Sequence, residues 1–315
     1  MSIPSKKINL IYIASTGRSG STLLDMLLGS HSQIATIGEI QILPHEILQK
    51  DCMPCGCGKP IPECSFWQEV IQQVRPLNQP QPQISHFRER HNAGKTLRWK
   101  HLLEFHFESV IASKQNKIDI YGQNNYQLFD KFLDATEKST QVRPTWIIDA
   151  SKDPYRLLWL VKSNLFNIKV LHLVKDPRAF AYSMTKRILN NRDYQYKAYR
   201  FTVQKTFSWL IHNYLISKIA QNYLNDLDYL LINYEKLASE PQNTLKEILD
   251  SVECQIESDF EKKFKNNIIH TIAGNPMRYQ PRDIVLDEAW KTCFPFVHRH
   301  TANLIAYVSK AKYGY

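Results

Sequence analysis

Residues 15–24 read STGRSGSTLL, and they follow an apolar run, INLIYIA, at 8–14. The run is short and rich in isoleucine, which predicts a buried strand. Downstream, STLLDMLLGSH at 21–31 predicts a helix, with Leu23, Leu24, Leu27 and Leu28 on one face and Gly29 near its end. The loop between them therefore joins a strand to a helix N-terminus. Such a junction suits an anion, because free backbone N–H groups meet the positive end of the helix dipole. Gly17 and Gly20 permit tight turning, Arg18 supplies a cation, and Ser19, Ser21 and Thr22 supply hydroxyls. A triphosphate-binding loop, G-x-x-x-x-G-K-[ST], fails here at two positions. Ser15 replaces its first glycine and Ser21 its lysine, so the charge that reaches the β and γ phosphates is missing. The loop suits a shorter anionic group with one terminal charge.

Alternation of strands and helices resumes at TWIIDA (145–150), a strand, followed by PYRLLWLVKSN (154–164), a helix. IKVLHLV (168–174) and DYLLINY (228–234) predict further strands. RAFAYSMTKRILNN (178–191), a long segment at 199–224 and EPQNTLKEILDSV (240–252) predict helices. This order predicts an α/β fold: a parallel sheet flanked by helices, with a phosphate loop after its first strand. Ligands of such sheets sit at the carboxyl ends of the strands. The loops at 15–21, 149–153, 175–178 and 234–236 should therefore share one rim. One domain over 1–315 is expected, with a helical, cysteine-containing insertion at about 45–145. Within it, RPLNQPQPQ (75–83) breaks regular structure, while 97–114 and 126–139 read as helical. Arg88, Arg90, Trp99 and His101 of this insertion are candidates for shaping a substrate pocket or a lid.

The chain has 315 residues, 43% hydrophobic and 22% charged, the mix of an ordinary globular protein large enough for one big core. No apolar run approaches the roughly 20 residues of a membrane span, and no signal peptide is evident, so a cytoplasmic protein without membrane contact is expected. A net charge of +10 favours anionic partners. The basic residues form no long run, which argues against nucleic acid. Four of the six cysteines crowd into DCMPCGCGKPIPEC at 51–64. Cys52, Cys55, Cys57 and Cys64 have the spacing of a structural zinc site or of close disulfides, and no histidine completes a standard pattern. Cys254 and Cys293 read as isolated, buried thiols.

A second stretch, HLVKDPRAFAYSMTKR at 172–187, decides what the loop holds. A turn at Asp176–Pro177 into a helix would bring Lys175, Ser183 and Arg187 together as a second anion site. Two anion sites on one rim imply one ligand phosphorylated at two separated places. With both stretches in view, the sequence resembles sulfotransferases that use 3′-phosphoadenosine 5′-phosphosulfate (PAPS). STGRSGSTLL resembles their 5′-phosphosulfate loop and LVKDPRAFAYS their 3′-phosphate segment, with Lys175 and Ser183 eight positions apart. The family usually has arginine at Lys175; lysine keeps the charge but loses the bidentate fork, and Arg178 or Arg187 is expected to compensate. WIIDASKDP, LINYEKLASEPQNTLKEIL, CGCGKPIPECSFW, HTIAGNPMRY and the terminal YGY are similar to segments of soluble bacterial and Golgi-type members.

The resemblance implies transfer of a sulfuryl group from PAPS to a hydroxyl or amine of a small-molecule acceptor, releasing 3′,5′-adenosine bisphosphate. A role in natural product biosynthesis fits a soluble bacterial-type member. Glu39 matches the glutamate that follows a glycine and acts as base in the tyrosyl-protein branch; His45 and Glu46 are reserves. Its neighbours Ile37, Ile40 and Ile42 point to a partly desolvated carboxyl. Arg18 should contact the sulfonate, and Lys152 should neutralise the leaving phosphate, with Asp149 orienting Lys152 or its loop. Gly17, Ser19, Gly20, Ser21 and Thr22 should hold the phosphosulfate, and Tyr234 should reach the adenosine. Gly274, Asn275 and Arg278 should close over the 3′ end. No catalytic metal is implied, since Arg18, Lys152 and helix N-termini carry the charge. Two other readings compete: a P-loop kinase of a small molecule, and a non-catalytic module binding nucleotide or nucleic acid. The sequence is silent on oligomeric state.

Overall fold

The computed structural model describes residues 6–43, 53–74, 102–266, 269–279 and 283–315. Five strands form one parallel sheet in the order β2–β3–β1–β4–β5. They are β1 (Ile8–Ser15), β2 (Ile34–Gly38), β3 (Trp146–Lys152), β4 (Phe166–Val174) and β5 (Tyr229–Asn233). Because every pair is parallel, all five strands end on one edge, and the expected rim forms there. Ala14 lies beside Lys152, Ser15 beside Leu173, Gly38 beside Asp149, and Val174 beside Asn233. Strand β2 was not expected. IATIG is only five residues and ends in glycine, yet it closes one sheet edge against β3.

The central strands read as continuous apolar runs because both faces are covered. Leu10, Tyr12 and Ala14 of β1 enter one core, and Ile11 and Ile13 enter the other. The first core is closed by α2 (Ser65–Gln73), α3 (Gln115–Thr140), α4 (Pro154–Ser163) and α6 (Gln195–Tyr223). The second is closed by α1 (Ser21–Leu28), α7 (Tyr234–Ser239) and α8 (Pro241–Ser251). Helix α5 (Pro177–Leu189) follows β4 and packs on α6. Two of these helices start on aspartates that accept backbone N–H bonds and precede proline: Asp153 for α4 and Asp176 for α5. That pairing is a strong helix-start signal. Among the described residues, no helix is long and apolar enough to cross a membrane.

The insertion lies between β2 and β3. The helix expected at 126–139 begins earlier, at Gln115, and its Leu128, Phe129 and Phe132 sit in the first core. The segment expected to be helical at 97–114 is shorter: a turn at Leu103–Phe105 and a short helix at Glu108–Ala112. Arg88, Arg90, Trp99 and His101 lie outside the described residues.

A network of polar side chains is buried beside the first core. The Arg156 guanidinium on α4 is fully inaccessible, as is its partner Asp149 on β3, with Nε to Oδ2 at 2.6 Å. Asn125 Oδ1 (2.7 Å) and the Tyr121 hydroxyl, both on α3, take further N–H groups of the same guanidinium. The network thus locks α3 and α4 to the end of β3. Removing one partner of a buried pair leaves an uncompensated charge, which costs about 3–5 kcal/mol. Asp149→Ala should therefore lower unfolding stability by about that amount in urea titration, and a loss of under about 1 kcal/mol would show the pair to be dispensable.

Candidate active site

Strand β1 ends at Ser15, whose hydroxyl donates to Leu173 O at 2.8 Å and ties the loop to β4. Inside the loop, the Thr16 and Ser19 hydroxyls share a 2.6 Å bond, and both side chains are buried. Arg18 and Gly20 turn the chain through left-handed backbone, at φ 68° and 89°. Gly20 is the N-cap of α1 and brings no side chain to the amides of the first turn. A Cβ on Gly20 would lie 2.3 Å from the Tyr234 ring, so glycine is required there for both φ and space. A Cβ on Gly17 would meet nothing within 4 Å among the described residues, and Arg18 beside it is exposed. The loop is thus open above Gly17 and packed below Gly20.

Next to the start of α1 is a narrow cavity of about 10 Å³. Ser21, Thr22, Glu39, Lys152, Gly274 and Arg278 all line it. Lys152 Nζ lies 2.6 Å from Glu39 Oε1, so the expected base and the expected cation form an ion pair. Asp153 is instead the N-cap of α4 and accepts from Tyr155 N at 2.8 Å. Asp149 acts on the loop, accepting from Ser151 N at 2.9 Å. Glu39 is placed by its backbone: its N–H donates to Ile272 O at 2.8 Å, and Ile272 N donates to Ile37 O at 3.1 Å. Three non-glycine residues with left-handed backbone gather here: Arg18, Lys152 (φ 69°) and Ala273 (φ 53°). Such positions cost about 1–3 kcal/mol each and cluster at functional sites. By contrast, Gln141 and Asn164, also left-handed, are ordinary helix C-caps.

The segment after Ile272 runs to the Thr22 side of the loop. Asn275 N donates to Thr22 Oγ1 at 3.1 Å, and Gly274 packs on the same side chain. The Arg278 guanidinium is buried and already held, by the carbonyls of Thr271, Ala273 and Pro54. Among the described residues, its buried Nε has no hydrogen-bond partner. Arg278 is therefore first a clamp on its own loop, while Gly274 and Asn275 lie against Thr22 at the start of α1.

On the other side of the loop, Lys175 Nζ lies 4.1 Å from the centroid of the Tyr234 ring, which also backs Gly20. Burial pushes the Lys175 ammonium below its usual pKa, opposed by Glu235 and Asp287. Ser183 and Arg187 share one face of α5, a turn apart; Ser183 is half-buried and Arg187 exposed. Arg178, expected to compensate for Lys175, pairs with Asp176 and stands over the Trp290 ring at 4.7 Å. It faces a cleft of about 780 Å³ bordered by Glu235, Trp290, Arg299 and Tyr315. Cys52, His45 and Glu46 lie outside the described residues. Cys254 is buried as expected, but Cys293 is exposed.

Sequence reading missed Asp25. It sits in mid-helix among leucines of α1, fully buried, and accepts the Thr36 hydroxyl from β2. Desolvation raises its pKa to about 7, opposed by Thr36 and Lys152 and reinforced by Glu39. The only sequence signal was an acid at a position the leucine stripe should bury.

The sulfotransferase-domain family matches residues 9–288, and the chain belongs to that family, enzymes that transfer a sulfuryl group. No curated protein sequence matches the chain. Among solved structures, it is similar to the sulfotransferase domain of the curacin biosynthetic pathway, at 18% identity and TM-score 0.52, over 98% of this chain and 99% of that one. The sulfotransferase domain of the Synechococcus PCC 7002 olefin synthase is 17% identical at TM-score 0.51, over 97% and 98% of the two chains. A Mycobacterium avium sulfotransferase is 12% identical at TM-score 0.52, over 98% of this chain and 77% of that one. At these identities the likeness is one of fold.

Asp25 gives the site a measurable pH signature. In the folded state it keeps its proton up to about pH 7, whereas the unfolded chain ionises near 3.8. The folded state binds more protons across that window, so stability falls as pH rises through it. Asp25→Asn removes this slope, and the melting-temperature difference in the variant's favour should widen between pH 4 and 7 and then level off. The difference is the proper readout because His172, whose pKa burial pushes down to about 4, adds a slope of opposite sign in both proteins. A difference that is flat across the window would mean Asp25 is ionised throughout.

Proposed function

We propose that the chain transfers the sulfuryl group of PAPS to a hydroxyl or amine of a small molecule, with Glu39 as base. The observation that carries this reading is the Lys152–Glu39 pair beside the N-terminus of α1. It sets a proton acceptor and a cation next to a loop of glycines, hydroxyls and uncapped amides, which suits an anion. The buried, unpartnered Nε of Arg278 at the same cavity adds a donor seeking an acceptor. PAPS, when bound, supplies a sulfuryl group on a phosphate oxygen, and 3′,5′-adenosine bisphosphate leaves.

The chain's residues then have distinct tasks. Gly17, Arg18, Ser19, Gly20, Ser21 and Thr22 hold the phosphosulfate end by backbone amides, hydroxyls and one guanidinium. Lys175, Ser183 and Arg187 hold the 3′-phosphate, and Tyr234 spans the two ends, backing Gly20 and Lys175 together. Lys152 is shared between two anions. An anionic group at the loop competes with Glu39 for its ammonium, and the released carboxylate takes the acceptor's proton. Lys152 then meets the negative charge that grows on the departing phosphate, which is where preorganised charge contributes most. Gly274 and Asn275 cover the Thr22 end and keep water from it. The curacin-pathway and olefin-synthase domains among the similar folds support placing the chain in natural product biosynthesis.

A positioned base contributes about 10²–10⁴-fold to rate. Glu39→Gln should therefore lower kcat by about that factor while leaving the affinity for 3′,5′-adenosine bisphosphate within about threefold of wild type. Turnover within about tenfold of wild type would remove Glu39 from the role of base.

A further inference from the structure

The cysteine loop is completed by a residue more than 200 positions away. Cys55, Cys57 and Cys64 bring their sulfurs together with His270 Nδ1, and the four atoms lie within 4.8 Å of one another. Cys57 and Cys64 sulfurs are 3.7 Å apart, and Cys64 and Cys55 sulfurs 3.8 Å. His270 Nδ1 is 3.5 Å from the Cys55 sulfur and 3.3 Å from that of Cys64. A tetrahedral zinc ion sits about 2.3 Å from sulfur and about 2.0–2.1 Å from nitrogen. Simple trigonometry then sets sulfur–sulfur edges near ~3.8 Å and sulfur–nitrogen edges near ~3.6 Å. Four of the six edges, at 3.3–3.8 Å, are those of a single four-coordinate ion, and the other two lie within 4.8 Å.

The surroundings hold each ligand in place. Cys55 N donates to Lys59 O at 2.7 Å and Gly58 N to Cys55 O at 2.8 Å, which closes the Cys-Gly-Cys turn. Cys64 is the N-cap of α2. The His270 ring stacks flat on Phe66, centroids 4.5 Å apart and planes 1° from parallel. Trp67 Nε1 donates to His270 O at 3.1 Å, so ring and backbone are both fixed. Gly56 passes directly under the histidine segment: its N–H donates to Thr271 O at 3.1 Å, and a Cβ there would lie 1.9 Å from Ile269 O. These contacts fix the ring plane and the backbone of His270.

We propose that Cys55, Cys57, Cys64 and His270 bind one structural zinc ion, through three thiolates and His270 Nδ1. All four positions are taken by protein, so the ion has no open site for substrate. Its effect is to staple the loop at 53–66 to the segment at 269–279. That segment accepts Glu39 N–H at Ile272 and covers Thr22 with Gly274. Pro54 O completes the staple by accepting from Arg278 Nη2 at 2.5 Å and from the Tyr279 hydroxyl at 3.0 Å. The ion therefore sets the backbone beneath the active site without touching it. This proposal stands apart from the sulfuryl-transfer reading, and its test uses no activity.

Elemental analysis of the full chain, purified without chelator, should find one zinc per chain. Cobalt exchange should give the intense visible bands and thiolate charge-transfer absorption of a tetrahedral site. His270→Ala and Cys57→Ala should lose the ion, and His270→Cys should keep it. Cys52→Ser and Cys254→Ser should also keep it, because the four proposed ligands already complete the site. Wild-type protein free of metal, with the Cys55, Cys57 and Cys64 thiols open to alkylation or joined in a disulfide, would overturn the proposal whatever the variants do. Retention of zinc by His270→Ala with loss in Cys52→Ser would overturn His270 as the fourth ligand.

Discussion

Asp149 lies within the buried stretch of β3, and its two carboxylate oxygens do different work. One is fixed by Arg156 Nε, the other accepts the N–H of Ser151. The first contact ties the strand to α3 and α4 through a guanidinium with no access to water. The second starts the turn in which Lys152 takes its left-handed backbone. A lysine pays for that conformation only where surrounding structure over-determines it. Here Gln41 adds to the constraint, with Nε2 donating to Ser151 O at 3.0 Å, so the stretch after Glu39 is fastened to the end of β3. The ion pair between Lys152 and Glu39 is thus set by two backbones before either side chain is considered.

The rest of the site follows from the parallel sheet. Because the strands all point one way, the loop after β1, the turn after β3 and the starts of α5 and α7 fall on one edge. Tyr234 joins two of these, with Gly20 against its ring and Lys175 near its centroid. The segment at 269–279 comes from outside the sheet and supplies the roof. It bridges Gly38 through Ile272, meets Thr22 through Asn275, and is buttressed by the buried Arg278 guanidinium. Asp25 beneath the same cavity is the one acid there that burial drives toward the neutral form at ordinary pH.

What the sequence disclosed was the part written in local pattern. The β1–loop–α1 unit stood out because an isoleucine run gives way abruptly to glycines and hydroxyls and then to a leucine stripe. The Asp176–Pro177 pair before α5 marked a helix start for a chemical reason that needs no tertiary context. What stayed hidden depends on distant pairing. IATIG is too short to announce a strand, and it becomes one only against β3 and Ile272. Arg156 looks like the polar face of an amphipathic helix until Asp149 and Asn125 are placed beside it. Asp25 needs Thr36, from the next strand, to explain its burial. His270 could not be joined to CGCG by spacing, since the two meet only when the roof segment folds back over the cysteine loop. Arg278 stood out as a candidate, but nothing local in the sequence showed that its guanidinium is held by backbone carbonyls.

The central claim is that this rim reads two phosphates set apart on one nucleotide. Thermal-shift titration with 3′,5′-adenosine bisphosphate against ADP tests it most directly, because the two ligands differ chiefly in where the second phosphate sits. A ligand that binds only the folded state stabilises by RT ln(1 + [L]/Kd), about 2.7 kcal/mol at ~100 Kd. The account predicts a clear rise in melting temperature with the bisphosphate and little or none with ADP at the same concentration. An equal or larger rise with ADP would mean that the loop at 15–22 holds a nucleotide polyphosphate, and would contradict it.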